Sequence, residues 1–134
     1  MSETCNRGTE YEEQCAFVEW CGLNHIPVVH IPNEGKRSPR EGARLIRAGL
    51  VRGFPDLFVP LPRGEYHGLF IEMKFGKNKP TREQVEQLRA LCARGYAVTV
   101  SYGAEQAIRV TRHYCALGVP PLQGAREKTT RKRE

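Results

Sequence analysis

Glu72 and Lys74 stand two residues apart at the end of the apolar run Leu69-Phe70-Ile71-Glu72-Met73-Lys74. Side chains of a strand alternate between its two faces, so the acid and the lysine project from one face. Leu69, Ile71, Met73 and Phe75 then make the opposite face apolar throughout. Asp56 opens a second apolar run, Leu57-Phe58-Val59, just after Gly53-Phe54-Pro55. Two carboxylates and an ammonium gathered on one face can hold a hard divalent cation such as Mg²⁺, which takes oxygen ligands and keeps several waters. Asp56, Glu72 and the backbone carbonyl of Met73 are the candidate ligands. A cation held there lowers the pKa of a bound water and offsets negative charge developing in a transition state. Lys74 is placed to hold the attacking water or to stabilise that charge. The plain alternative is a surface salt bridge between Glu72 and Lys74.

Positioning these groups requires two strands joined by a tight turn, and Pro62-Arg63-Gly64 supplies the turn. Ahead of them, Thr9 caps a helix expected from Glu10 to Leu23, with Glu10, Glu12 and Glu13 in its first turn. Glu10, Glu13, Gln14 and Phe17 share one side of it, and Cys15, Val18 and Leu23 belong to a more apolar side. One of the first-turn acids is a candidate to face the cation. A strand is expected over Ile26 to Ile31, then a basic loop over Pro32 to Arg40, then a short helix from Glu41 to Leu50 that Gly49 ends. After the strand pair, Gly76 and Pro80 bound a second basic stretch. Thr81 caps a helix with Val85, Leu88, Leu91 and Cys92 as its core stripe. A strand over Tyr96 to Ser101 and a helix over Ala104 to Leu117, with Ala107, Ile108 and Val110 inward, complete the chain. The hairpin makes one strand pair antiparallel, and the helix joining the last two strands makes that pair parallel. The fold class is therefore α/β: a mixed central sheet covered by helices.

Lysine and arginine number 21 against 15 acids, a net charge of +6, which points to a polyanionic partner with nucleic acid foremost. Lys36, Arg37, Arg40 and Arg44 in one basic segment, and Lys77 and Lys79 in the other, suit contacts to phosphates. No apolar run has the length of a membrane span and the start of the chain lacks a signal-peptide pattern, so a cytoplasmic protein is expected. Five cysteines without a CxxC fit buried, reduced thiols better than a disulfide framework or a zinc site. One domain is expected over residues 9–118, between a flexible segment 1–8 and a basic, disordered tail 119–134.

Pro55-Asp56 with Glu72-Met73-Lys74 resembles the PD-(D/E)XK nuclease signature. Flanking residues resemble its VRR-NUC branch: Glu10-Tyr11-Glu12-Glu13-Gln14 followed by Trp20, Ile31-Pro32-Asn33-Glu34-Gly35 with Arg37, Gly53-Phe54-Pro55-Asp56, Tyr66-His67-Gly68-Leu69-Phe70-Ile71-Glu72, Pro80 to Gln84, and Gly95-Tyr96. The likeness runs over roughly residues 9 to 114. It implies a restriction-endonuclease-like fold with an α-β-β-β-α-β core and Mg²⁺- or Mn²⁺-dependent cleavage of DNA phosphodiesters. It implies further that Asp56 and Glu72 are metal ligands, that Lys74 is catalytic, that Gln84 supports the site, and that a first-helix glutamate joins it, Glu10 in preference to Glu13. Small phage-type members of that branch imply a homodimer acting on branched DNA such as four-way (Holliday) junctions, in a bacterial or phage-infected cytoplasm. The alternatives are a less selective flap- or end-processing nuclease, or a DNA-binding module of the same fold that does not cut.

Overall fold

Side chain-to-backbone caps start the first three of the four helices among the described residues. In the computed structural model, which describes residues 8–33 and 37–120, Thr9 Oγ1 accepts the Glu12 N–H at 3.1 Å and opens α1 (Glu10–Leu23). Ser38 Oγ accepts the Glu41 N–H at 3.2 Å and opens α2 (Pro39–Arg47), whose first residue is proline. Thr81 and Gln84 form a reciprocal capping box at the start of α3 (Arg82–Ala93). The fourth helix, α4 (Gly103–Ala116), has no cap from its own N-cap residue, Tyr102.

Four strands, β1 (Val29–His30), β2 (Leu57–Val59), β3 (Leu69–Lys74) and β4 (Ala97–Tyr102), form one sheet in chain order. β1 pairs antiparallel with β2, β2 antiparallel with β3, and β3 parallel with β4. The expected mixed sheet flanked by helices is the observed one. Leu57 and Val59, with Leu69, Ile71 and Met73, face a buried core completed by Phe17 and Cys21 of α1 and Ala104, Ala107 and Tyr114 of α4. The other face carries an aromatic group. Phe70 stacks on Phe58 with ring centroids 4.4 Å apart and meets Phe54 and Tyr96 edge-on. α3 packs beside β4 and buries Leu88 and Leu91.

Several sequence expectations shift. The strand expected over residues 26–31 shrinks to Val29 and His30, since Pro27 has no N–H to give a ladder. α2 begins at Pro39, inside the stretch read as loop, because Ser38 and Pro39 are a cap and a first-turn residue. Cys15, Val18 and Leu23 are exposed, and the buried side of α1 is the one holding Phe17 and Cys21. Cys92 is exposed rather than part of the α3 core stripe. Of the four described cysteines, all free, only Cys21 is fully buried, so the expectation of buried thiols holds for one of them. Inward positions of α4 include Thr111 and Tyr114, whose hydroxyl donates to the Leu61 carbonyl at 2.6 Å. Residues 1–7 and 121–134, which carry most of the expected flexible ends, lie outside the described residues.

Candidate active site

β3 is buried along its whole length, on both faces. Glu72, at 1% exposure, and Lys74, at 8%, therefore sit inside the protein, and Lys74 Nζ stands 3.5 Å from Glu72 Oε1. The exposed salt bridge that the sequence allowed is excluded by this burial. Asp56, at 6% exposure, precedes β2 by one residue. The register pairs Leu57 with Ile71, and carried one step further it sets Asp56 across from Glu72, on the same face. The Asp56 carboxylate is fixed from β3 itself: the Met73 N–H donates to Asp56 Oδ2 at 2.9 Å. In a strand the N–H and C=O of one residue point to the same side, so the Met73 carbonyl also faces the Asp56 side. The backbone carbonyl of Asp56 accepts the Ile31 N–H at 2.7 Å, tying the edge of the sheet to the same point.

Helix starts gather at this end of the sheet. β3 and β4 run parallel, so α3 and α4 both begin where those strands end, the usual place for a site in an α/β protein. α1 joins them, because Glu13 Oε2 accepts the Ala104 N–H at 3.3 Å and so supplies the carboxylate cap that Tyr102 does not. Glu10 takes a different position. With Tyr11, Gln14, His30, Pro32, Asn33 and Asp56 it lines a cleft of about 190 Å³. Glu10 and Asp56 thus share a cleft, while Glu13 meets the start of α4. The side-chain oxygen of Gln84 accepts the Thr81 N–H at 2.8 Å; the Thr-x-x-Gln spacing carried that signal in the sequence.

Gly53, with φ +78°, holds the approach to Asp56 against α3. A Cβ on it would lie 2.5 Å from the Glu83 carbonyl carbon and 2.7 Å from the Gln84 nitrogen, so glycine alone permits the contact. Asn33 pins the same turn from the other side, donating to the Val51 carbonyl at 2.7 Å. From residue types alone Asn33 had no role beyond its place in a motif.

The described phosphate-binding candidates lie in two segments, where Arg40, Arg44, Lys77 and Lys79 are exposed and Arg37 is half-buried. Arg40 and Arg44 lie on α2 and Arg37 just before it; Lys77 and Lys79 lie between β3 and α3. Lys36, with Glu34 and Gly35, is outside the described residues. Arg47 follows Arg40 and Arg44 at helical spacing and extends their row. Arg52 joins Arg37 in a second cleft.

No group of three histidine, cysteine, aspartate or glutamate side chains is placed as a metal site among the described residues. A hard divalent cation needs only a pair of carboxylates, a carbonyl and waters. Asp56, Glu72 and the Met73 carbonyl are oxygen donors of that kind, so the donor set fits such an ion.

Across residues 7–105 the chain matches the family model of the VRR-NUC domain. The chain belongs to the VRR-NUC domain family. A solved structure described as a VRR_NUC domain protein is 33% identical to it, covering 82% of this chain and 90% of that one with a TM-score of 0.71. No curated protein matches. The VRR-NUC match takes in both carboxylates, Lys74, α3 and β4, and stops just inside α4. Membership indicates a nuclease of the restriction-endonuclease-like fold, with nucleic acid as its substrate. Among the described residues, no helix is long and apolar enough to cross a membrane.

Proposed function

We propose that this VRR-NUC protein is a metal-dependent DNA endonuclease, selective for branched DNA such as four-way junctions and acting as a homodimer in the cytoplasm. The observation that carries this reading is the buried group of Asp56, Glu72 and Lys74, with Asp56 hydrogen-bonded to the Met73 N–H. Burying two carboxylates and an ammonium costs several kcal/mol per ion unless they are paired or coordinated. A module that only binds DNA has no use for that cost, which argues against the non-cutting alternative.

Mg²⁺ or Mn²⁺ would be held by Asp56, Glu72 and the Met73 carbonyl, where it would offset charge on the scissile phosphate and acidify a bound water. The chain's own residues do the rest. Met73 N–H fixes the Asp56 carboxylate. Lys74 reaches the same face as Glu72 and gives a proton-bearing cation beside the attacking water or the developing negative charge. Glu10, across the cleft from Asp56, is the first-helix acid of the site, and Gln84 supports the start of α3 beside it. Arg37, Arg40, Arg44, Lys77 and Lys79, with Lys36, take phosphates of the DNA backbone, a contact that positions without reading sequence. A two-fold dimer would present two such sites to a symmetric junction for paired nicks. The working unit is residues 9–118.

The test is cleavage of labelled four-way, flap and linear DNA by the purified protein with Mg²⁺ or Mn²⁺. The junction is expected to be cut fastest, with paired nicks and a dimeric mass in light scattering. Binding without cutting on every substrate would overturn the nuclease reading, and a monomeric mass at micromolar concentration would overturn paired nicking.

A further inference from the structure

Between α2 and the turn at Gly53 lies a cleft of about 420 Å³, within the size range of small-molecule sites, about 300–1,000 Å³. Its composition is divided. Arg37 and Arg52 supply two cations, Ile46 and Leu50 supply apolar wall, and Glu83 supplies one acceptor from the first turn of α3. Asn33 lines both this cleft and the one that holds Glu10 and Asp56, so the two are neighbours that meet at one residue. Apolar walls are of no use to a phosphate, and an arginine pair is of no use to a purely apolar ligand. A nucleotide needs both: guanidinium groups for its phosphates, an apolar slot for the faces of its base, and a carboxylate to accept from an exocyclic amino group.

We infer that this cleft is a subsite for one unpaired nucleotide neighbouring the scissile phosphate, its base against Ile46 and Leu50 and its flanking phosphates on Arg37 and Arg52. The inference rests on the nuclease reading for the position of the scissile phosphate and deepens it. Base pairs within a continuous duplex keep their bases stacked and cannot fill the slot. A gap or flap offers an unpaired base at little cost, and a pair at the branch point of a junction, stacked on one side only, opens for a few kcal/mol. The subsite therefore favours branched over plain duplex DNA without any sequence readout.

Two measurements test it with the full chain. The first places 2-aminopurine, whose emission rises when it leaves the stack, at an unpaired nucleotide of a gapped duplex or at the matching position of the fully paired one. Binding is followed in EDTA, so that no cleavage is needed. Protein is expected to brighten the unpaired probe at least twofold and to leave the paired one dim. Gly42 borders the cleft, and a Cβ there meets nothing within 4 Å, so Gly42→Phe fills the slot from an open position; its melting curve reports that the fold is intact. Gly42→Phe is expected to abolish the brightening. The second compares cleavage of the gapped and paired substrates with Mg²⁺. The rate advantage of the gapped substrate is expected to fall at least tenfold in Gly42→Phe. Arg52→Ala, an exposed change, is expected to lower the slope of log affinity against log salt by about one phosphate contact. Equal brightening of paired and unpaired probes, or Gly42→Phe matching wild type in both measurements, would overturn the subsite. Absence of cleavage by wild type would overturn the nuclease reading alone, since the fluorescence measurement proceeds without it.

Discussion

Met73 N–H donates to Asp56 Oδ2 at 2.9 Å, so the strand that carries Glu72 and Lys74 also fixes the carboxylate facing them. The hydrogen bond takes the place of a ladder bond just ahead of the first residue of β2. It makes the position of the first acid a property of the β3 backbone rather than of a loop. Asp56→Asn keeps an acceptor oxygen for that N–H while removing the charge. The expected outcome is a melting temperature within a few degrees of wild type and a cleavage rate lower by at least about 100-fold. Asp56→Ala loses the acceptor as well and melts measurably lower, since a buried donor without a partner costs about 1–3 kcal/mol.

The Glu72–Lys74 pair at 3.5 Å is buried, and breaking it from one side leaves a charge inside the protein. Lys74→Ala is expected to lose cleavage and also about 3–5 kcal/mol of stability. Adding Glu72→Gln to Lys74→Met is expected to recover most of that stability with no recovery of activity. Urea unfolding of the three variants checks this; a double variant no more stable than Lys74→Ala would count against the pair as the source of the loss.

Glu10 and Glu13 are separable by what they touch. Glu13→Gln weakens the cap on Ala104, for an expected loss of about 1 kcal/mol, and leaves cleavage within a fewfold of wild type. Glu10→Gln in the Asp56 cleft is expected to cut at least tenfold more slowly with little change in stability. Rates reversed between the two variants would move the first-helix role to Glu13.

Burial and then the neighbouring Cys115 push the Cys21 thiol up from 9.0 to about 12. The folded protein therefore keeps this proton at pH values where the unfolded chain releases it. Stability falls as pH rises above about 9, by about 1.4 kcal/mol per pH unit for this one group until about 12. Cys115 is also pushed up, chiefly by burial, and acts in the same direction. Unfolding free energies at pH 8 and pH 10.5 should show a smaller drop for Cys21→Ala than for wild type.

How much of this was legible beforehand varied with the kind of signal. The hairpin, the parallel crossover and the gathering of Asp56, Glu72 and Lys74 followed from period-2 alternation and turn residues. Those are local properties that tertiary contacts reinforced. The α1 face was misjudged because Cys15, Val18 and Leu23 compete with Phe17 and Cys21 for the core, and only packing against α4 decides between them. The sequence favoured Glu10 over Glu13 without revealing what Glu13 does, because its partner, the Ala104 N–H, lies 91 residues away. The early start of α2 was readable in Ser38-Pro39, but the surrounding charge and turn residues masked it. The two-sided burial of β3 depends on Phe54, Phe58 and Tyr96 meeting Phe70, a contact set with no short-range signature.

α2 buries none of its residues and is nine residues long, shorter than the length at which isolated helices hold together in water, about 12–15 residues. Its amide hydrogens are expected to exchange with solvent far sooner than those of β3, which opens only with the whole fold. A DNA strand lying across Arg40, Arg44 and Arg47 would then slow that exchange. Part of the binding free energy goes into holding the arm in shape, so affinity should fall steeply with temperature well before the core melts.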